Sequence, residues 1–228
     1  CLKKIVVRVA VLFVAIISNV YAQVVTLKPS VDTTLSRHHP NLVQDSLHYL
    51  SIGSKSAPER ALVKFDLSAL QRLNRSEIKS AVLEFSLKFG SAKRGKGKHA
   101  EISLHRLEQD WDGHGTSWYC PDRSCVAQWE GGEFQKKPTD KVKISHLRGD
   151  TIQLDVTADI INFVTGSPNF GWLLRKKDER KAGSIRFDSL ESGHSPQLVL
   201  YLDTDTDVSA PTVDIKFPTT NLVIGNTE

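Results

Sequence analysis

The chain has 228 residues, of which 39% are hydrophobic, 7% aromatic and 25% charged, a balance that excludes a disordered or collagen-like protein. It carries 30 basic and 26 acidic residues, and three of the basic ones lie within the first 22 positions. A general excess of positive charge, which is typical of nucleic-acid-binding proteins, is absent. We therefore predict no nucleic-acid partner, and only a local basic patch could bind a polyanion.

The first 22 residues have the pattern of a secretory signal peptide. Lys3, Lys4 and Arg8 precede the apolar run 9–17, and we predict cleavage after Ala22. The alternative is a membrane anchor, but the apolar run has only about half of the roughly 20 residues that a spanning helix needs. We expect a secreted protein, extracellular or at the cell surface, with no transmembrane segment. Because the chain lacks methionine, we also expect it to be a fragment.

Two cysteines, Cys120 and Cys125, remain after removal of the signal peptide. In an oxidising compartment a pair at this short spacing favours a disulfide that pins a loop. The alternative is a zinc site that recruits His114 and His146, but no CxxC or HxxxH spacing supports it. We predict the disulfide, with a modest effect on stability because its loop is short.

Short apolar or alternating runs, separated by turn residues, predict nine β-strands after the signal peptide. In 81–89 the odd-numbered residues are apolar and the even-numbered ones mostly polar, which indicates a strand with one buried face. Nine strands in one chain of this length indicate an antiparallel β-sandwich. The predicted strands are 24–27, 47–52, 61–67, 80–89, 100–107, 151–156, 171–175, 184–188 and 197–202.

One segment, 155–164, predicts a short helix across one end of the sandwich. Thr157 could cap its start and Gly166 its end. A second, weaker helical turn is predicted at 67–73. The predicted fold class is therefore all-β with one or two short helices.

The chain divides into four predicted parts. The signal peptide covers residues 1–22 and the β-sandwich covers 23–203. A polar, acidic linker follows at 204–211, and the apolar alternation of 212–228 predicts the start of a further β module. The alternative for this last segment is an extra strand of the same sandwich.

Aromatic residues concentrate around the cysteine pair, where the sequence places Trp111, Trp118, Tyr119 and Trp129. Exposed rings can stack on the faces of sugars, whereas buried rings fill a core. The segment could therefore be a platform for a carbohydrate ligand or a loop core packed over the disulfide. We expect Trp172, in a predicted strand, to lie in the main core.

No motif in the sequence indicates catalysis, since it contains neither GxSxG nor HExxH. We predict that the protein is not an enzyme and needs no cofactor. A structural calcium ion could bind to Asp32 and nearby loop carbonyl oxygens, although spacing alone does not show this. The segment 89–97 concentrates cations between glycines, and we interpret it as a hairpin loop that could contact an acidic polymer. An ordinary solvated loop is the alternative.

Several short segments stand in a characteristic order: 28–35 (KPSVDTTL), 50–53 (LSIG), 60–68 (RALVKFDLS), 80–84 (SAVLE), 110–111 (DW) with 116–118 (TSW), 155–157 (DVT), 169–174 (NFGWLL) and 187–192 (FDSLES). Together they resemble the DNRLRE domain, also classed as carbohydrate-binding module family 96, over residues 24–203. The resemblance implies a jelly-roll-like β-sandwich without catalysis, in secreted or surface proteins, with some members that bind alginate. Where the family commonly has Ser-Arg-Glu-Ser, residues 189–192 read Ser-Leu-Glu-Ser.

We therefore predict a secreted, non-catalytic carbohydrate-binding module for an acidic polysaccharide such as alginate. Basic side chains aligned on one sheet face would form a cationic groove that binds carboxylates. The alternatives are a structural or adhesive module of a multidomain cell-surface protein and a polysaccharide lyase that uses Tyr, His and Arg side chains. The candidate ligand-binding residues are Arg60, Lys64, Arg106, Trp111, Trp118, Arg175, Lys176 and Arg186.

Overall fold

The computed structural model describes residues 22–53, 57–90, 100–144, 151–180 and 183–203. These residues form an all-β fold, as predicted, with antiparallel strands, one α-helix and two 3-10 turns. The helix α1 is Thr157–Val164, and the turns are Ser68–Leu70 and Arg75–Glu77. The strands are β1 (Ala22–Leu27), β2 (Val31–Ser36), β3 (Leu50–Gly53), β4 (Glu59–Lys64), β5 (Ile78–Gly90), β6 (Ala100–Arg106), β7 (Asp140–Ile144), β8 (Thr151–Asp155), β9 (Trp172–Lys176), β10 (Ser184–Phe187) and β11 (Gln197–Asp203).

The strands follow one continuous path of pairing, β1-β11-β5-β10-β3-β4-β9-β6-β7, with β2 beside β4 and β8 beside β5. The long strand β5 joins the two halves of this path, because its first part pairs with β11 and β8 and its last part with β10. Core residues from both halves belong to one apolar cluster. The sheet therefore folds over on itself, consistent with the predicted sandwich.

The alternation predicted for β5 is confirmed. Ala81, Leu83, Phe85 and Leu87 are buried, whereas the side chains between them are partly or fully exposed. Successive side chains of a strand point to opposite faces, so this pattern fixes which face of β5 meets the core. All nine predicted strands are present, with ends that shift by up to three residues.

Two strands, β2 and β7, were not predicted. β2 has the polar sequence VDTTLS, yet five of its six residues are buried because both of its faces are covered. β7 is only five residues long and contains two lysines. Strand patterns in sequence depend on apolar residues, and both strands contain too few of them to be recognised alone.

The predicted helix is present at Thr157–Val164, but Thr157 does not cap its start. The residue before the helix is Val156, which has no side chain able to accept a hydrogen bond. The hydroxyl of Thr157 instead donates to Asp155 Oδ1 and accepts the backbone N–H of Ala81 at 2.9 Å, so it ties α1 to β5. Gly166, at φ +109°, follows the helix as predicted.

Several predictions fall outside the described residues. These include most of the signal peptide, the glycine-rich cationic segment, the linker and the start of a further module. Ala22, where we predict cleavage, is the first residue of β1 and pairs with Asp203 of β11. Within the described ranges, none of the helical segments has the length and apolar character needed to cross a membrane.

Candidate functional site

The strands β4, β9 and β6 have one face in the main core and an outer face that points away from it, which β2 extends. The segment that connects β6 to β7 covers one half of this outer face. In this segment Trp111, Trp118 and Trp129 pack on Leu62 and other leucines of the sheet to form a second apolar cluster. The three tryptophans are only 2–4% exposed. These tryptophans therefore form a loop core, which was the alternative to a carbohydrate platform. The prediction that Trp111 and Trp118 bind a sugar is wrong, because neither ring has an open face on which a sugar could stack.

The predicted disulfide joins Cys120 to Cys125 at the tip of this segment, with Cα atoms 4.9 Å apart. Asp122, inside the closed loop, accepts the hydroxyl of Ser124 and the backbone N–H of Cys125 at 2.9 Å. These two hydrogen bonds favour the ionised carboxylate and hold the pKa of Asp122 below its usual range. Tyr119, beside the disulfide, is 45% exposed.

Two consecutive glycines let the segment return close to the sheet. Gly131 and Gly132 adopt φ of +72° and +95°, which side chains other than glycine rarely adopt. A Cβ on Gly131 would lie 2.7 Å from both Arg60 Nη1 and the ring of Trp118. The second apolar cluster can therefore close only because these positions carry no side chain.

Arg60 of β4 forms the boundary between the covered half and the open half of the face. Its guanidinium pairs with both carboxylate oxygens of Glu179, at 2.8 and 3.1 Å, and donates to the carbonyl oxygen of Gly131 at 2.7 Å. It also lies 4.8 Å from the centre of the Trp118 ring and 5.3 Å from that of Phe134. Most of its donors are therefore used within the protein, and Arg60 acts as an internal anchor.

Arg175 of β9 shares Glu179 with Arg60, with an Nη2–Oε2 distance of 3.1 Å. Beneath them, His105 Nδ1 donates to the Gln135 carbonyl oxygen at 2.8 Å, so Nε2 of the neutral ring accepts the Ser103 hydroxyl at 3.0 Å. Burial lowers the pKa of His105, and the positive charges of the two arginines lower it further. The His105 ring is therefore neutral, and it holds the hydroxyl of Ser103 in place.

The open half of this face carries two rows of side chains across three neighbouring strands. Ser103 of β6 pairs with Arg175 of β9 on one side and with Lys141 of β7 on the other. In the next row, Glu101 of β6 pairs with Lys143 of β7 and accepts Lys177 Nζ at 3.0 and 3.1 Å. We call these six residues the basic face.

Charge on the basic face is mainly positive, and its cations are accessible. Lys141, Lys143 and Lys177 are exposed, and the side chain of Arg175 is 21% exposed. Their one acidic companion in the two rows is Glu101, whose pKa is lowered by the hydrogen bond from Lys177 and by nearby lysines. The arrangement can bind an anionic chain laid across the strands.

The remaining predicted basic residues do not join the basic face. Lys64 lies on the same face of β4 as Arg60, but its Nζ pairs with Asp110 at 2.6 Å. Lys176 is 6% exposed and its Nζ donates to the carbonyl oxygen of Gly183 at 3.1 Å. Since it follows Arg175 directly in a strand, it points to the opposite side of the sheet.

Arg106 and Arg186 lie elsewhere in the fold. Arg106 pairs with Trp172 in the register of β6 and β9, and its guanidinium lies 4.9 Å from the Phe163 ring centre. Arg186 of β10 lies 4.3 Å from the ring centre of Tyr49. The structure therefore brings together only Arg60, Lys64 and Arg175 on one sheet face.

Sequence reasoning missed Lys141, Lys143 and Lys177. The signal that could have identified the first two is the alternation Lys-Val-Lys-Ile in β7, where lysine occupies the face opposite Ile144. The signal for Lys177 is its position two residues after the predicted Arg175, because residues i and i+2 of an extended chain share one face. Its contact with Glu101, 76 positions earlier, leaves no local signal.

Asp32, the residue named for a calcium site, is buried in β2 with 2% exposure. Its Oδ2 accepts the backbone N–H of Leu190 at 2.8 Å. Burial raises its pKa to about 7, the hydrogen bond from Leu190 opposes the shift, and the charge of Glu191 adds to it. No group of three His, Cys, Asp or Glu side chains that could hold a metal ion occurs in the described ranges, and calcium at Asp32 stays a prediction.

Comparison with known proteins adds no further assignment. No protein-family model matches the chain, and a search of the curated proteins found no match. The resemblance to the DNRLRE domain therefore rests on the sequence segments alone, and the chain is characterised here by its all-β fold, its disulfide and its basic face.

Proposed function

We propose that the protein is a secreted, non-catalytic carbohydrate-binding module that holds an acidic polysaccharide, such as alginate, on the basic face. The observation that carries this proposal is the pair of rows across β6, β7 and the end of β9, in which Lys141 and Lys143 are exposed cations beside two further cations. These two are Arg175, which pairs with Glu179, and Lys177, which pairs with Glu101. An open sheet face suits an extended polymer, because many weak contacts can form along its length. The contacts would be charge-assisted hydrogen bonds from lysine and arginine to carboxylate or sulfate groups.

The underlying sheet supports this role because it orders part of the basic face. Arg175 is fixed by Glu179, and Ser103 beneath it is fixed by His105. Side chains that are already ordered lose less conformational entropy when a ligand binds. The disulfide is consistent with the oxidising environment expected for a secreted protein.

Affinity electrophoresis of the secreted chain tests the proposal, with alginate, pectin, a sulfated galactan and neutral cellulose as ligands. We expect retardation by at least one acidic polymer that decreases at high salt, because salt screens charges beyond about 10 Å at 0.1 M. Lys141→Ala/Lys143→Ala should weaken the affinity by about tenfold, as two exposed cations are lost. The matched control is Lys28→Ala/Lys79→Ala, which removes two exposed lysines outside the basic face. Lys28 lies in the connection between β1 and β2, and Lys79 lies in β5.

A structural or adhesive module is the second candidate function. The ion pairs of Arg60 and Arg175 with Glu179, and of Lys64 with Asp110, favour it because they satisfy cations within the protein. If none of the acidic polymers retards the chain, or if the control variant loses as much affinity as Lys141→Ala/Lys143→Ala, the basic face is not a polysaccharide site and this second function is preferred.

A further inference from the structure

A cleft lies at the opposite end of the sandwich from the basic face. β4 and β9 are antiparallel, with Val63 opposite Trp172, so the end of β4 lies beside the start of β9. The cleft opens at this point, between the residues that follow β4 and the connection from α1 to β9. Its volume is about 760 Å³, within the roughly 300–1,000 Å³ that is typical of small-ligand sites. We call it the end cleft.

Hydrogen bonds within and between its two sides hold the end cleft in shape. Asn169, in the connection from α1 to β9, donates from Nδ2 to the carbonyl oxygen of Phe65 at 2.9 Å, and its Oδ1 accepts the N–H of Gly171 at 3.1 Å. On the other side, Asp66 Oδ1 accepts the N–H of Ser68 at 2.9 Å. A site that is already formed loses little conformational entropy when a ligand binds to it.

The end cleft has an apolar floor and a polar rim. Phe65, Leu67 and Phe163 form the floor, and each is at most 9% exposed. Gln71 and Ser167 belong to the rim, and within the part of the chain that the structure describes neither side chain has a hydrogen-bond partner. An amide and a hydroxyl are therefore free to bind polar groups of a ligand above an apolar surface.

The charges around the end cleft do not suit an acidic sugar. Asp66 is exposed, and hydrogen bonds from Ser68 hold its pKa below its usual range, so its carboxyl group is an anion at neutral pH. Lys64 also lines the cleft, but its Nζ pairs with Asp110 at 2.6 Å. An acidic ligand would be repelled by Asp66, whereas the hydroxyl groups of a neutral sugar could donate to it.

We propose that the end cleft is a second carbohydrate site, which binds a neutral sugar that has free vicinal hydroxyl groups. Asp66 accepts the hydroxyl hydrogens, Gln71 and Ser167 bind neighbouring hydroxyl groups, and the C–H groups of the sugar ring lie against the cleft floor. The inference goes beyond the proposed function, because the protein would hold an acidic polysaccharide at one end and a neutral glycan at the other. The end cleft and the basic face share no residue.

Nuclear magnetic resonance titration of the isotope-labelled secreted chain tests the proposal, with the methyl glycosides of glucose, galactose and mannose as probes. We expect at least one glycoside to shift the amide signals of Ser68, Gly166 and Ser167, which line or adjoin the end cleft. Its affinity should not change at high salt, because a neutral sugar forms no ion pair that salt could screen. Binding of acidic polymers to the basic face should, in contrast, weaken with salt.

Two variants test the residues of the rim. Asp66→Asn should weaken glycoside binding about tenfold, because a neutral group replaces a charged acceptor, while asparagine can still accept the N–H of Ser68. Gln71→Ala should weaken it about threefold, and the fold should be kept because the Gln71 side chain makes no hydrogen bond to other described residues. The matched control is Asp112→Asn, which makes the same change at an exposed carboxylate outside the end cleft and should keep the affinity.

The inference is overturned if none of the three glycosides shifts the amides of the end cleft, or if the shifts occur at the basic face instead. It is also overturned if Asp66→Asn and Gln71→Ala bind as tightly as Asp112→Asn. Affinity electrophoresis with acidic polymers is a separate measurement, so its result shows whether the proposed function holds independently of the end cleft.

Discussion

Replacing Asp32 with asparagine tests how a single buried carboxyl group affects the stability of the sandwich. Asp32 is 2% exposed, and one backbone N–H, from Leu190, donates to its Oδ2. Burial disfavours the charged form and raises the pKa of Asp32 from 3.8 to about 7. Asparagine has nearly the same shape and keeps an oxygen that can accept the N–H of Leu190, but it never ionises.

The direction of the pH effect follows from this raised pKa. The unfolded chain releases the proton of Asp32 near pH 4, whereas the folded protein retains it until about pH 7. The favourable contribution is therefore complete below pH 4 and is lost as the pH rises through 7. Each pH unit in this window lowers the free energy of unfolding by about 1.4 kcal/mol, which gives a total of roughly 4 kcal/mol.

Urea denaturation of the wild type and Asp32→Asn between pH 4 and pH 8 measures this effect. We expect the variant to be more stable than the wild type at pH 8, and the difference should shrink towards pH 4. Asp66→Asn is the control, since hydrogen bonds from Ser68 lower the pKa of the exposed Asp66 and its loss should not stabilise the protein at pH 8. Parallel stability curves for wild type and Asp32→Asn would refute the reasoning. A chelator that destabilises the wild type but not Asp32→Asn would instead indicate bound calcium at Asp32.

Two further predictions concern the second apolar cluster. Trp118→Phe should cost less stability than Trp129→Phe, by about 1 kcal/mol in urea denaturation, because Trp129 Nε1 donates to a buried carbonyl oxygen whereas Trp118 Nε1 finds no acceptor among the described residues. Equal losses would contradict this account. Gly131→Ala should lower the free energy of unfolding by about 2 kcal/mol, since its φ is +72° and the new Cβ would meet Arg60, whereas Gly193→Ala, with open space around it, should be nearly neutral. A thermal shift that is the same for both glycine variants would show that the close approach is not required.

The division of one sheet face into two halves explains why the tryptophans and the cations have different roles. Trp118 and its neighbours close an apolar cluster over one half, and Arg60 stands at its edge, held by Glu179 and by backbone carbonyl oxygens. The exposed lysines of the basic face, Lys141, Lys143 and Lys177, lie in the open half. A ligand that binds the basic face would therefore meet a firm boundary formed by Arg60 and the ring of Phe134.

The sequence by itself determined the properties that depend on neighbours along the chain. Alternation with a period of two requires only that successive side chains of a strand point to opposite faces, so β5 and eight other strands could be predicted. The short spacing of Cys120 and Cys125 likewise predicted their disulfide, because residues this close along the chain can meet without help from the rest of the fold. The short helix was predicted from its own periodicity, although its capping depended on contacts with β5.

Only the tertiary structure decided which charges stand together. Glu179 meets Arg60 across 119 positions, and Lys177 meets Glu101 across 76. Strand pairing sets these contacts, and the pairing of β9 with β6 and of β6 with β7 leaves no trace in the local pattern of any one strand. Burial of Trp111 and Trp118 was likewise decided by the sheet beneath them, because an aromatic residue has the same sequence signal whether a loop covers it or exposes it.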